Sequence, residues 1–118
     1  MTFYDCYGVP VAYTEDNETI YLFTGEPVAY FYENAVYSFS GIHLGWFENG
    51  WIRDLFGASV FYTENATGSG PVKPVRCVRP VKGVKYVKPV KCVREIKRVK
   101  AVNTLSWSRL SGTSFFQK

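Results

Sequence analysis

Four stretches of this sequence align with one another: FYDCYGVPVAY at 3–13, IYLFTGEPVAY at 20–30, VYSFSGIHLGW at 36–46 and IRDLFGASVFY at 52–62. The alignment is anchored on Gly8, Gly25, Gly41 and Gly57. Each copy has an apolar residue or cysteine five and two positions before the glycine. Val or Leu stands three positions after it, and Tyr or Trp five after. Agreement at so many positions predicts four copies of one short structural unit in residues 1–66.

Each unit is typical of a strand, a tight turn at the glycine and a second strand. Glycine supplies the positive φ that such a hairpin turn requires. Polar, Asn-containing connectors then join one hairpin to the next. A single hairpin is marginal in water, so we expect the four to curl around an axis and close, which removes the sheet edges. The Val/Ile and Tyr/Trp positions are expected to pack against each other inside this shallow, quasi-four-fold symmetric all-β barrel.

Composition narrows the protein class. A chain of 118 residues fits one domain, and an aromatic content of 18% favours strands. Three cysteines without a CxxC spacing, beside one histidine, support neither a disulfide framework nor a zinc site, so free thiols in a reducing compartment are expected. The N-terminus has no secretion-signal pattern, and no apolar run is long enough for a spanning helix. A soluble cytoplasmic protein is the expectation.

Residues 67–102 form a basic segment that repeats every three residues. Val or Ile occupies one position of each triplet, and Lys or Arg follows all but the last. The apolar positions are Val72, Val75, Val78, Val81, Val84, Val87, Val90, Val93, Ile96, Val99 and Val102. Polyproline II has three residues per turn and places all the valines on one edge, so we assign it to 71–94. Two alternatives remain: a nine-residue unit folding back in pieces, marked by Pro71, Pro80 and Pro89, or β-strands interrupted by bends. In each case the valine edge should dock on an apolar surface, of this chain or of a partner.

Charge is strongly polarised along the chain. Residues 1–70 carry nine carboxylates and one arginine, whereas 71–102 carry eleven basic residues and one acid. The candidate anion-binding residues in this run are Lys73, Arg76, Arg79, Lys82, Lys85, Lys88, Lys91, Arg94 and Lys97. Such a run can contact phosphates of nucleic acid or an anionic lipid surface. Alternatively, the acidic first half neutralises it within the chain or in a neighbouring copy.

Residues 103–118 are interpreted as a fifth, partial copy that completes the same domain. Aligning on Gly112 places apolar residues at matching positions: Trp107, Leu110, Phe115 and Phe116. We therefore expect a strand or hairpin here that packs back on the barrel.

The units, the ENATG junction at 64–68 and the PVKPV triplets together resemble the bacterial four-fold β-flower proteins. The resemblance covers nearly the whole chain and implies a shallow barrel with hairpin petals. It implies no activity that can be carried over residue by residue. The wider β-flower class is similar to the tubby C-terminal fold without its central helix, which suggests lipid contact by analogy only.

No catalytic, metal or cofactor site emerges from the sequence. His43 occupies a turn position that is proline or serine in the sister units, so a surface histidine is expected rather than a catalytic base. Cys6 lies in an apolar position and is expected to be a buried structural thiol. The acids Glu15, Asp16, Glu33, Glu48 and Glu64 fall in equivalent connectors, where a solvated rim is favoured over a cation or catalytic site.

The sequence therefore predicts a non-catalytic structural or binding module without a cofactor or small-molecule substrate. Its basic segment docks on the acidic barrel or on a partner chain, and self-association is one way to satisfy that docking. The alternative is a protein that binds nucleic acid or anionic lipid through the Lys/Arg run at 73–100.

Overall fold

Eight short antiparallel strands close into a barrel in the computed structural model, which describes residues 1–110 and 112–117. The strands are β1 (Thr2–Tyr4), β2 (Pro10–Tyr13), β3 (Thr19–Leu22), β4 (Pro27–Tyr32), β5 (Ala35–Tyr37), β6 (His43–Glu48), β7 (Trp51–Asp54) and β8 (Ser59–Tyr62). Each strand pairs with its neighbours in the chain, and the pairing of Tyr4 with Tyr62 closes the ring. The expected all-β barrel of four hairpins is thus confirmed.

The four hairpins (β1–β2, β3–β4, β5–β6 and β7–β8) have the same tip. The residue three before each glycine donates its N–H to the carbonyl of the residue one after it: Asp5 to Val9, Leu22 to Glu26, Ser38 to Ile42 and Asp54 to Ala58. The glycine between them has a φ of +77° to +101°. The strand pairing shifts its register at the same place in every hairpin, between the residues five and four positions before the glycine. The predicted requirement for glycine at this position is therefore met in all four units.

The residues five positions before the four glycines lie at the centre of the barrel interior. Phe3, Ile20, Val36 and Ile52 are fully buried there, and Phe3 packs against the rings of Phe31, Phe47 and Phe61. Because neighbouring side chains on a strand point to opposite faces, the Tyr/Trp column lies on the outer wall instead. The expectation that both columns pack together inside was therefore wrong.

The C-terminal stretch returns to the barrel, as expected, but it forms neither a strand nor a hairpin. After one bridge between Ser59 and Trp107, a 3₁₀ helix at Gly112–Phe116 buries Phe115 and Phe116 beside Phe61. Ser59 of β8 bonds to Ser106 and Ser108 at this bridge, but the pairing does not extend beyond it. The division into 1–66, 67–102 and 103–118 stays an interpretation of the sequence, and Ser111 and Lys118 lie outside the described residues.

Among the described residues, no helix has the length and apolar character needed to cross a membrane.

Replacing Phe115 by alanine tests whether the C-terminal 3₁₀ helix packs into the barrel core. Its ring is fully buried in the barrel core, so Phe115→Ala should lower the free energy of unfolding by about 3–5 kcal/mol in urea denaturation. Leu105→Ala, at a position 67% exposed, is the control and should change it by less than about 0.5 kcal/mol. Equal effects would show that the C-terminal helix does not enter the core.

Candidate interaction surface: the belt on the barrel wall

Residues 71–104, hereafter the belt, follow the outside of the barrel past all four hairpin tips. Four backbone N–H groups, nine residues apart, donate to the carbonyls of the four tip glycines. These bonds are Cys77 to Gly8, Tyr86 to Gly25, Glu95 to Gly41 and Thr104 to Gly57, with lengths of 2.8 to 3.0 Å. Three triplets therefore span one hairpin, and the belt circles the barrel rather than folding back on itself. No helix or strand is assigned within it, and the polyproline II conformation stays a prediction.

The belt backbone approaches the tips so closely that only glycine fits. A Cβ built on each tip glycine would overlap a valine carbonyl oxygen of the belt: Val75 at Gly8, Val84 at Gly25, Val93 at Gly41 and Val102 at Gly57. These valines are again nine residues apart. The glycines are thus needed twice, for the positive φ of the turn and for the space that the belt occupies.

Pairs of aromatic residues cover the outer wall beneath the belt. Cross-strand neighbours Tyr62 and Tyr4 have ring centroids 5.4 Å apart, and the equivalent pairs are Tyr13 with Tyr21 at 5.8 Å and Tyr30 with Tyr37 at 6.1 Å. Tyr13 and Tyr30 are fully buried. These rings are too large to remain exposed on a sheet this small, and the belt covers them.

The basic side chains of the belt lie on these rings. The Nζ of Lys82 is 4.5 Å from the centroid of Tyr13, and that of Lys91 is 4.5 Å from Tyr30. Further contacts are Arg76 over Tyr4, Lys85 over Tyr21, and Arg94 and Lys97 over Tyr32. A cation over an aromatic face is attracted by the ring quadrupole, more so where water is partly excluded. The basic edge therefore faces the barrel.

The ends of the lysines reach the acidic connectors. Glu15 pairs with both Lys82 and Lys85, and these hydrogen bonds, that of Lys85 first, lower the pKa of its carboxyl to about 2. The other pairs are Lys88 with Asp16, Lys91 with Glu18, Lys97 with Glu33, and Lys100 with Glu48. Each is solvent-exposed and weak alone. Together they pair the acids of the first half with the cations of the second.

Eight of the nine candidate anion-binding residues have partners in the barrel or belt. Lys73 donates to the Ala66 carbonyl at 2.8 Å, and the others contact the rings or acids described above. Arg79 is the exception, because its side chain makes no hydrogen bond, ion pair or ring contact with any described residue. Glu64, predicted to join the acidic rim, is exposed and forms no ion pair with a described residue.

The fourth unit has the opposite arrangement of charge. Arg53 stands where the other units have Tyr4, Tyr21 and Tyr37, and it is almost completely buried. Its guanidinium donates to the carbonyls of Gly57 and Thr104, both at 2.9 Å, and to that of Ser69. On the belt, Asn103 replaces the basic residue of the earlier units. In this unit the barrel, and not the belt, supplies the cation. The sequence signal for it is that the position four before the glycine is Tyr in three units and Arg in the fourth.

His43 is fully buried, so the expectation of a surface histidine was wrong. The N–H of Arg98 donates to Nδ1 at 3.0 Å, which leaves the ring proton on Nε2, 2.9 Å from the Gly45 carbonyl. The ring also stacks on Tyr37. Burial is the main reason why the pKa of the imidazole lies below its ordinary value of 6.5. The belt folds over this residue, and no feature of the hairpin repeat by itself indicated that.

The valine edge points into solvent and does not dock on this chain, which was one of the two docking surfaces expected; the other, a partner, stays a prediction. The eleven Val and Ile residues are 87–95% exposed, whereas the six paired lysine side chains are only 28–49% exposed. The polarity of the belt is thus inverted: its basic edge is the more buried one. Sequence reasoning failed here because it ranked the edges by hydropathy and did not foresee aromatic rings as the docking surface.

A cleft of about 540 Å³ opens between the fourth hairpin tip and the C-terminal stretch. Phe56, Trp107 and Leu110 line it, with Asp54 among the polar groups. Both carboxylate oxygens of Asp54 are used, since one accepts the N–H groups of Phe56 and Ala58 and the other the hydroxyl of Ser108. Among the described residues there is also no group of three His, Cys, Asp or Glu placed to hold a metal ion.

The model of the four-fold β-flower protein family matches residues 1–116. This chain belongs to the β-flower family. Comparison with curated proteins and with solved structures gave no match. The resemblance inferred from the petal and triplet motifs is therefore confirmed, and residues 1–116 of this β-flower protein include the belt as well as the barrel.

The contact between the belt and the hairpin tips can be tested by a substitution at Gly25. Gly25→Ala imposes a strained positive φ and pushes the belt away from the tip, so we expect a loss of about 3 kcal/mol in the free energy of unfolding. Gly68→Ala is the matched control, because φ there is +78° but the nearest atom to a Cβ is a side-chain amide 3.9 Å away. The control should lose about 1 kcal/mol. Equal losses would place the belt off the tips.

Stability should fall as the pH drops below 6.5, the ordinary pKa of His43. The folded imidazole has a lowered pKa, so the unfolded chain takes up the proton first and the loss reaches at most about 1.4 kcal/mol per pH unit. Glu95, Arg98, Lys97 and Tyr37 are the titratable and charged groups that face it.

His43→Ser, which copies Ser59 of the fourth unit, should flatten this dependence in urea unfolding between pH 7.5 and 5.5. Hydrogen bonds lower the pKa values of Glu15, Asp16 and Glu48, so those acids titrate below this window. An unchanged slope in the variant would assign the pH dependence to another group.

Proposed function

We propose that this β-flower protein is a non-catalytic structural and binding module whose basic belt is an intramolecular part of the domain. The observation that carries the proposal is the nine-residue register between belt and barrel. Four equivalent backbone hydrogen bonds and four glycine contacts repeat at that interval. A segment evolved as a free, ligand-seeking arm has no need of such a match to its own barrel.

The charges support the same proposal. Six belt lysines pair with five connector carboxylates, and the aliphatic parts and amino groups of several cover tyrosine rings. The opposite charges of the two halves are therefore used against each other. An incoming anion would have to displace these carboxylates and expose the rings.

The proposed absence of catalysis rests on how the candidate groups are used. Both ring nitrogens of His43 bind backbone groups, so neither is available as a general base. Burial raises the pKa of the Cys6 thiol, which disfavours the nucleophilic thiolate. We accordingly propose no cofactor and no small-molecule substrate.

A bacterial, cytoplasmic setting and a polyproline II conformation for 71–94 remain parts of the proposal. All three cysteines, Cys6, Cys77 and Cys92, are free thiols. Two of them are exposed, which fits a reducing compartment.

Neutralising the paired lysines tests the intramolecular role. The triple variant Lys82→Gln, Lys85→Gln, Lys91→Gln removes three ion pairs and three ring contacts, so its melting temperature should fall by several degrees. Arg79→Gln, at the unpaired position, should leave it unchanged. In high salt the gap between wild type and triple variant should narrow, because exposed ion pairs are screened.

An unchanged melting temperature in the triple variant would mean that the belt is a free arm. Binding of duplex or single-stranded nucleic acid, or of anionic vesicles, at about 50 mM salt would then favour the alternative function of the 73–100 run. Such binding should weaken steeply with added salt, and it should be lost in the triple variant. Absence of binding would count against that alternative.

A further inference from the structure

A cleft of about 780 Å³ lies where the first part of the belt passes the closing strands of the barrel. Arg76 and Arg79 line it from the belt, and Tyr4 lines it from β1. Glu64 and Asn65, in the segment that follows β8, form the opposite side. Its volume falls in the range of about 300–1,000 Å³ that is typical of small-molecule sites.

The contacts between connectors and belt follow a rule in the first two units. The residue eight positions after the tip glycine is an acid, and it contacts a belt lysine. Oδ2 of Asp16 lies 4.0 Å from Nζ of Lys88, and Glu33 pairs with Lys97, nine residues further along the belt. The nine-residue interval therefore identifies the equivalent positions in the other two units.

Both of the other units lack this acid, but only one of them also lacks the cation. In the third unit the equivalent positions hold Asn49 and Ser106, so neither charge is present. In the fourth unit Asn65 replaces the acid, whereas Arg79 keeps the cation. Since the side chain of Arg79 contacts no described residue, it contributes nothing to holding the belt on the barrel. A cation retained without its acid favours a partner outside the chain.

Two more cations near this cleft have no carboxylate partner in the described chain. Arg76 lies in the cleft itself, and Lys73 lies in a smaller depression that shares Arg76 and Glu64 with it. Their equivalents nine residues along the belt both pair with Glu15. Glu64 occupies the position of Glu15 in this unit, but it forms no ion pair with a described residue. Positive charge therefore exceeds negative charge around this opening.

The two cations in the cleft are both arginine, whereas the next unit has Lys85 and Lys88 at the equivalent positions. A guanidinium group presents a planar fork of N–H donors that matches a phosphate or carboxylate, whereas an ammonium group is a point charge. Lysine is sufficient for pairing with the connectors, as the other units show. A phosphate monoester carries about −1.5 to −2 charges near pH 7 and has three acceptor oxygens, so it can engage two such forks at once.

The charges fit one phosphate group better than a polyanion. Belt lysines beyond the cleft are engaged with carboxylates of the barrel. A nucleic acid gains affinity from many phosphate contacts along its length, and only the start of the belt has unpaired cations to offer. The carboxylate of Glu64 would repel a second phosphate, but it can accept hydrogen bonds from hydroxyl groups.

We propose that this cleft binds a small, soluble phosphate monoester whose organic part carries hydroxyl groups. Arg76 and Arg79 hold the phosphate, Lys73 adds positive charge, and Glu64 accepts hydrogen bonds from the organic part. The proposal concerns binding alone, without a chemical step. It rests on the proposed intramolecular role of the belt, because the cleft exists only while the belt lies on the barrel.

Two exposed free thiols on the belt provide a reporter and an internal control. Cys77 lines the proposed site, whereas Cys92 lines a second cleft whose cations are paired with acids or rings. We would measure by mass spectrometry how fast iodoacetamide alkylates each thiol in the full chain. The probe is glucose 6-phosphate, added up to about 10 mM in about 0.15 M sodium chloride. Alkylation of Cys77 should slow along a single-site saturation curve while that of Cys92 stays constant, and glucose should protect neither thiol.

Matched variants assign the binding to this cleft. Arg79→Gln should raise the apparent dissociation constant about tenfold or more, the loss expected for charge-assisted hydrogen bonds. Asn65→Asp restores the acid that Asp16 supplies in the first unit, and it should weaken binding similarly by engaging Arg79. Lys88→Gln removes the same charge from the equivalent position of the next unit and should change the constant less than about twofold. Arg79→Gln and Asn65→Asp should both keep the melting temperature of the wild type.

Unprotected Cys77 over the whole range overturns the proposal, and so does equal protection of the two thiols. Equal weakening by Arg79→Gln and Lys88→Gln would assign the attraction to the belt as a whole and overturn the site. Phosphatidylcholine vesicles containing phosphatidic acid present the same phosphate monoester on a lipid. Protection by these vesicles and not by glucose 6-phosphate would assign the site to a lipid headgroup and overturn the soluble ligand.

Failure of the intramolecular role of the belt would appear in a different measurement. It would leave the melting temperature unchanged in the triple lysine variant, whereas failure of the phosphate site would leave that melting temperature lowered and Cys77 unprotected.

Discussion

The close approach of the belt backbone to the four hairpin-tip glycines is the constraint on which the rest of this structure depends. A side chain at Gly8, Gly25, Gly41 or Gly57 would occupy the position of a belt carbonyl. Because that contact recurs every nine residues, it sets which triplets face each petal. The register then brings each lysine to its tyrosine and each ammonium to its carboxylate. Without this contact the belt would no longer cover the tyrosine pairs on the outer wall of the barrel, and no other segment of the described chain packs over them.

The outer aromatic layer explains why charge, rather than apolar surface, is turned inward. A closed barrel of eight short strands is too small to hold both aromatic columns, so one column faces out. Lysine and arginine cover such rings well, since their aliphatic stems pack on the apolar area while the charged heads reach water or acids. Valine could cover the rings but could not also satisfy the acidic connectors. The inverted polarity of the belt follows from these two demands together.

Much of the fold was predictable from the sequence because the same residue types recur at equivalent positions of the four units. The four glycines gave the hairpins, and their number gave a closed ring. The side of the belt that docks was not predictable, since it depends on which strand face each tyrosine occupies in a barrel whose radius the sequence does not state. The predictions of a surface position for His43 and of a strand or hairpin at the C-terminus were wrong for similar reasons. Each differs from its column, and its environment comes from a distant segment that the repeat does not describe.

Arg53 has a consequence for how the belt finds its place. Four nearly equivalent petals and a nine-residue period would let the belt slide by one unit with most contacts re-formed. Sliding by one unit in one direction would bring Arg94 to the position of Asn103, beside the buried guanidinium of Arg53. Two cations at a partly buried site repel strongly. The single exchange of tyrosine for arginine, matched by asparagine on the belt, thus breaks the degeneracy of a four-fold repeat and selects one of its possible alignments.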